Sequence, residues 1–139
     1  MKSKILLALF FLPLLSFKPV IDSDKIIGTY WSPEKDGKIA IYKRNNKFYG
    51  KSVASNTPDL KDAKNPDPKL RDKVVLGQEI FFDFVYDEDD DEYKDGKIYN
   101  PLDGNTYSAK MWLDDSKLKL RGYLGWSLFG VTKTMERVE

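Results

Sequence analysis

Residues 96–113, GKIYNPLDGNTYSAKMWL, read as a strand, a tight polar turn and a second strand. Ile98 and Tyr99 end the first run, and Asn100-Pro101-Leu102-Asp103-Gly104-Asn105 supplies the turn chemistry. From Thr106 to Leu113 the chain alternates, with Tyr107, Ala109, Met111 and Leu113 on one side and Thr106, Ser108 and Lys110 on the other. Only Trp112 breaks the pattern. A period of two with one apolar side marks an antiparallel strand that buries one face.

Outward from this stretch, the N-terminus reads differently. Lys2 and Lys4 precede the apolar run Ile5–Leu15, interrupted only by Pro13 and followed by the small Ser16. The run is too short to span a bilayer as a helix and has the order of a secretory signal peptide. Residues 1–20 are therefore expected to be removed, with the mature chain starting between Phe17 and Asp24, and to direct the protein to the periplasm or beyond. The chain has no Cys, which excludes lipid attachment at one. No transmembrane span is expected after removal of the signal.

The remaining residues, 21–139, suit one domain with a sizeable core. Without Lys2, Lys4 and Lys18, 20 basic residues face 22 acidic ones. A near-neutral domain has no electrostatic footprint for nucleic acid. The chain also has no His. Zinc sites, His general bases, Cys nucleophiles and Ser-His-Asp triads are thereby excluded, and no disulfide can form. No cofactor or metal is expected, and an enzyme is the least favoured reading.

The domain reads as eight short strands separated by turn signals. They are Ile26–Trp31, Lys38–Lys43, Lys47–Val53, Glu79–Tyr86, Tyr93–Asn100, Thr106–Leu113, Lys117–Arg121 and Val131–Val138. Ser55–Asp72 is polar, contains Pro58, Pro66 and Pro68, and reads as a crossing loop with one helical turn near Pro68–Asp72. The six acids Asp87–Glu92 lack the spacing and Gly of an EF-hand loop and read as a solvated hairpin tip. Strands in hairpin order, with no amphipathic-helix period, predict an all-β fold: one antiparallel up-and-down barrel, whose closure removes the exposed edges.

Three motifs carry a family resemblance. Asn65-Pro66-Asp67-Pro68 with Leu70-Arg71 and Leu76-Gly77 is the first, and Ile98-Tyr99-x-Pro101-x-Asp103-Gly104-x-Thr106-Tyr107-x-Ala109-Lys110 is the second. The third is Leu118-x-Leu120-Arg121-Gly122-x-Leu124-Gly125. Together they resemble the bacterial DUF2147 family, small exported proteins similar to lipocalin-like (calycin) barrels. The resemblance implies the fold and no activity. Asn100 stands where the family usually has Asp, and Tyr30 where it usually has Trp. Gly28-Thr29-Tyr30 also resembles the start of calycin barrels, where an aromatic closes the narrow end beneath a basic side chain of the last strand. Arg137 is the expected partner of Tyr30, an Arg plane over an aromatic face being favourable by about 0.5–2 kcal/mol.

If the strand faces point inward, Phe82 and Phe84 converge with Tyr107 and Met111 on an apolar chamber. Tyr99 and Tyr123 add hydroxyls, and Arg121 at the mouth offers a charge for an acidic head group. Arg121 and Tyr123, however, share a face with Lys117 and Lys119, opposite Leu118 and Leu120. They reach the chamber only if Gly122 marks a bulge or the strand end bends inward. The expected function is an exported, monomeric binding protein for a small, largely apolar or acidic ligand. The alternative is a ligand-free module of the cell envelope that recognises a protein partner through the Ser55–Asp72 loop and the Trp126 region.

Overall fold

Turn chemistry cuts the chain where the alternating runs end. Asn45-Asn46, with φ of 51° and 63°, is a two-residue hairpin link, and Asp115, with φ of 54°, opens another. Asn and Asp tolerate this left-handed region better than most side chains, and positive φ matches the twist of paired strands. A computed structural model describes residues 8–15, 22–123 and 130–139. In it, a 3-10 helix, Ser23–Ile26, leads into β1 (Gly28–Trp31), β2 (Gly37–Arg44), β3 (Lys47–Ser55) and β4 (Glu79–Asp87). β5 (Glu92–Asn100), β6 (Asn105–Asp114), β7 (Lys117–Tyr123) and β8 (Val131–Glu136) follow, with a second 3-10 turn at Pro68–Leu70 in the crossing loop. No helix among the described residues is long and apolar enough to cross a membrane.

All eight strands form one antiparallel sheet in sequential order, and a bridge between Tyr30 and Arg137 brings its two edges together. The result is the expected eight-stranded up-and-down barrel, nearly closed. One correction concerns its start: Ile26 belongs to the 3-10 helix and is fully buried, where a first strand from Ile26 was expected.

The helix plugs one end. The Tyr30 hydroxyl donates to the Ile26 carbonyl at 2.9 Å, and the Tyr93 hydroxyl donates to the Ser23 carbonyl at 2.5 Å. Above the plug, Ile41, Phe48, Phe84, Met111, Leu118 and Met135 fill the interior with almost no exposure. Phe48 meets Tyr93 edge-on, ring centroids 4.9 Å apart, the arrangement that aromatic quadrupoles favour.

Strict alternation fails in the facing strands β4 and β5, at a position that matters. Phe81 and Phe84 are the buried residues of β4, whereas Phe82 is half-buried and pairs with Lys97 on the outer side. Asp83 and Asp95 take φ of 60° and 59° in facing strands. Each local kink shifts the inward residues from every second to every third: Phe81 and Phe84 on β4, Tyr93 and Gly96 on β5. The Phe84 ring lies so close over Gly96 that a Cβ there would overlap it. Gly96→Ala is therefore expected to destabilise the barrel by about 1–3 kcal/mol in urea unfolding. The same change at Gly122, where an added Cβ meets no described atom within 4 Å, should stay within about 0.5 kcal/mol of wild type. Equal losses at the two glycines would contradict this packing.

Candidate functional site

At the plugged end Arg137 locks the seam. Its guanidinium carbon lies 4.9 Å from the Tyr30 ring centroid, and its nitrogens donate to the Tyr30 hydroxyl at 2.6 Å, the Lys25 carbonyl at 2.8 Å and the Ile27 carbonyl at 3.2 Å. Gly28 makes room for it, because a Cβ there would lie 2.7 Å from an Arg137 nitrogen. Burial pushes the Tyr30 phenol pKa up, an effect that the nearby Arg137 charge partly offsets. Tyr30 and Arg137 thus form a structural clamp, with both main donors and acceptors of the seam occupied.

The opposite end, where the crossing loop and the β5–β6 turn lie, is built differently. Opposed residues in an antiparallel pair share a face, so the register defines the inward rows there. Ile98 faces Tyr107, Ala109 faces Gly122, and Gly122 faces Val131; below them Met111 faces Leu120. Phe81, Met111 and Leu120 are buried and form a floor, whereas Ile98 and Tyr107 are only half-buried. The inward row Ala109–Gly122 contributes one methyl group between two strands. Among the described residues, the inward row at this end is made of small or half-buried apolar residues, with Lys133 opposite Leu120.

Its rim is held by the crossing loop, residues 56–78. Asp62 is fully buried, and its carboxylate accepts from the Tyr99 hydroxyl at 2.5 Å and from the Asn65 side-chain amide at 2.8 Å. Asn65 also accepts, through its side chain, from the Asp67 N–H at 2.8 Å, and through its carbonyl from Arg71 Nε at 2.8 Å. Asp67 caps the 3-10 turn by accepting from the Lys69 N–H at 3.0 Å. The loop then leans on the β5–β6 turn: Gly104, at φ of 74°, touches the Lys64 carbonyl so closely that no Cβ fits. Within that turn Tyr107 donates to Asp103, which holds the Asp103 carboxyl below its usual range. Burial, followed by the hydrogen bond to Asp62, pushes the Tyr99 phenol up to about 12.

The expected chamber residues separate into three groups. Phe84 and Met111 point inward but belong to the packed interior, and Tyr107 faces inward at the loop end. Tyr99 shares the face opposite Ile98 and binds the loop instead of lining the interior. Phe82, Arg121 and Tyr123 lie outside: Arg121 faces Lys110, and Tyr123 faces Ser108. Gly122 pairs in register with Ala109 and Val131 without a bulge, so strand alternation carries its neighbours outward. Trp126 lies outside the described residues. Composition alone could not reveal Gly122, Ala109 and Asp62 as the residues that shape this end. The first two were visible as small residues on an inward period.

The carboxylates of Glu79 and Asp83, four apart on β4, are each held by neighbouring side chains. Glu79 pairs with Arg44 at 2.6 Å and accepts from Tyr42, contacts that lower its pKa; Asp83 accepts from Tyr49 at 2.8 Å. In the acidic tip, Asp91 is bound to Lys25 at 2.5 Å and Asp87 to Lys94 at 3.0 Å. Removing the phenol in Tyr99→Phe leaves a buried carboxylate short of a donor. A loss of about 1–3 kcal/mol is expected, with faster proteolysis within 56–78 than elsewhere. Unchanged stability and cleavage would show that this bond does not hold the loop.

Comparison with known proteins agrees with this architecture. A solved structure from the human pathogen Helicobacter pylori, protein HP1028, described as belonging to the lipocalin family, superposes with a TM-score of 0.70 at 28% identity. The match covers 81% of this chain and 82% of that one. No curated protein matches the chain. The profile of the DUF2147 family, described as an uncharacterized protein conserved in bacteria, matches residues 28–137. With the barrel, the clamp and all but the last part of the third motif inside the described residues, the chain belongs to the DUF2147 family, on a lipocalin-like fold.

Proposed function

We propose that this protein is an exported carrier that binds a small, largely apolar ligand at the loop end of its barrel. One observation carries the reading. Among the described residues, a Cβ at the inward-facing Gly122 would meet no atom within 4 Å, beside the buried apolar Ala109, Met111 and Leu120, while the plugged end is densely packed. An apolar ligand seated there gains contact and desolvation without displacing a side chain. The lipocalin-family neighbour supports the reading at the level of the fold. Export rests on Lys2, Lys4 and the apolar run that follows. Leu9, Phe10, Phe11, Leu12, Leu14 and Leu15 all stand exposed, so they contribute nothing to the core.

A second reading has its own observation. Leu60, Val74, Leu102 and Val131 are exposed apolar side chains on segments that lie at the loop end. Single exposed apolar residues are ordinary, but several at one end suit a contact surface. An envelope module would use this rim with the interior left empty.

The test is titration with a neutral fluorescent apolar probe, N-phenyl-1-naphthylamine, and a panel of fatty acids and small aromatic acids. Wild type is expected to bind, and Gly122→Leu, which fills the space, to weaken binding at least about tenfold while keeping the wild-type melting curve. Absence of binding, or binding indifferent to Gly122→Leu, would overturn the carrier reading and favour the module.

A further inference from the structure

The outer face of the sheet carries a separate concave groove of about 480 Å³ across β5, β6 and β7. We propose that this groove binds a tetrahedral oxyanion, a phosphate or sulfate group borne by a soluble molecule or by a lipid head, independently of any ligand in the barrel.

The register shows why donors converge there. Lys97 faces Ser108, and Ser108 faces Tyr123, so three outward side chains with N–H or O–H groups stand in one row across three strands. Neighbouring strands lie about 4.8 Å apart. Two long side chains therefore flank a short hydroxyl, making a trough with donors on both walls and its floor. One feature shapes it: the β5–β6 register shifts between Tyr93 and Gly96, beside Asp95 with its φ of 59°.

Charge distinguishes the cations around the trough. Lys94 is held by Asp87 at 3.0 Å and by Asp90, and Lys110 by both Glu92 oxygens at 3.1 Å. Lys97 is exposed and has no ion pair or hydrogen bond among the described residues. Arg121 sits beside the row, its guanidinium carbon 5.7 Å from the Tyr123 ring centroid and one nitrogen donating to Thr132 Oγ1 at 3.2 Å. It braces Tyr123 and adds positive potential. Against these cations stands one lining carboxylate, Asp95. A tetrahedral anion presents oxygens in several directions to Lys97, Ser108 and Tyr123 at once, whereas a carboxylate presents its two in one plane. Charge-assisted bonds of this kind are the strong ones.

The experiment is an amide NMR titration of the full mature chain with inorganic phosphate, against sodium chloride at matched ionic strength. A second arm uses vesicles of phosphatidylcholine with and without phosphatidylglycerol. Saturable shifts at Gly96, Ser108 and Tyr123 are expected in at least one arm, and the arm that responds identifies the source of the oxyanion. Lys97→Glu is expected to weaken binding at least about tenfold, because it sets like charge against the anion. Tyr123→Phe should weaken it less and leave the fold intact. No saturable shift in either arm, or shifts that survive Lys97→Glu unchanged, would overturn the proposal. Loss of apolar-probe binding in Gly122→Leu with the phosphate response intact is expected, since the two sites face opposite sides of the sheet.

Discussion

A sheet of eight strands becomes a barrel only if its first and last strands are held together, and here one guanidinium does most of that. β1 is four residues long and meets β8 through the Tyr30–Arg137 bridge and the Val138 N–H donated to the Thr29 carbonyl. Arg137 stacks on the Tyr30 ring and binds two carbonyls of the segment around the 3-10 helix. Closure of the seam and plugging of the barrel are therefore one event. The planar, always-charged Arg fork suits this role, since it satisfies carbonyls and covers an aromatic face together. Tyr in place of Trp adds a hydroxyl, which accepts from Arg137 and donates to Ile26.

That clamp makes the two ends unequal. Near it, large side chains fill the axis, with Ile26, Phe48, Phe84, Tyr93 and Met135 almost free of solvent. Away from it, the inward residues are smaller, and Ile98 and Tyr107 are only half-buried. An eight-stranded barrel has just enough interior either to be filled or to hold one small ligand. The family motifs have a matching division of labour. Asn65, Asp67, Arg71, Tyr99, Asp103, Gly104 and Tyr107 contact one another, the Asp62 carboxylate or the backbone around the loop end, and so hold the loop against the barrel.

Most of the fold was legible in the residues. Alternation and turn chemistry located all eight strands, and the Gly28–Tyr30 start pointed to Arg137 as its partner. What was not legible depends on contacts distant in sequence. The period of two in β4 pointed to Phe82 beside Phe84, and only the facing kinks at Asp83 and Asp95 exchange Phe82 for Phe81. Nothing local marks an Asp as left-handed in mid-strand. The Asp62–Tyr99 bond joins residues 37 apart, one of them in a loop without periodicity. Arg121 and Tyr123 followed the outward alternation that their Lys neighbours already announced. Gly122 needed the opposite reasoning, since a space is defined by what surrounds it.

Where an apolar molecule sits is read directly by a methyl-detected NMR experiment. With N-phenyl-1-naphthylamine bound to protein labelled at Ala, Ile and Leu methyls, Overhauser contacts are predicted from the probe to Ala109, Ile98 and Leu120. None is predicted to Leu118, deep in the packed half. Contacts confined to Leu60 and Leu102 on the exterior rim, with none to Ala109, would contradict a ligand site inside the barrel.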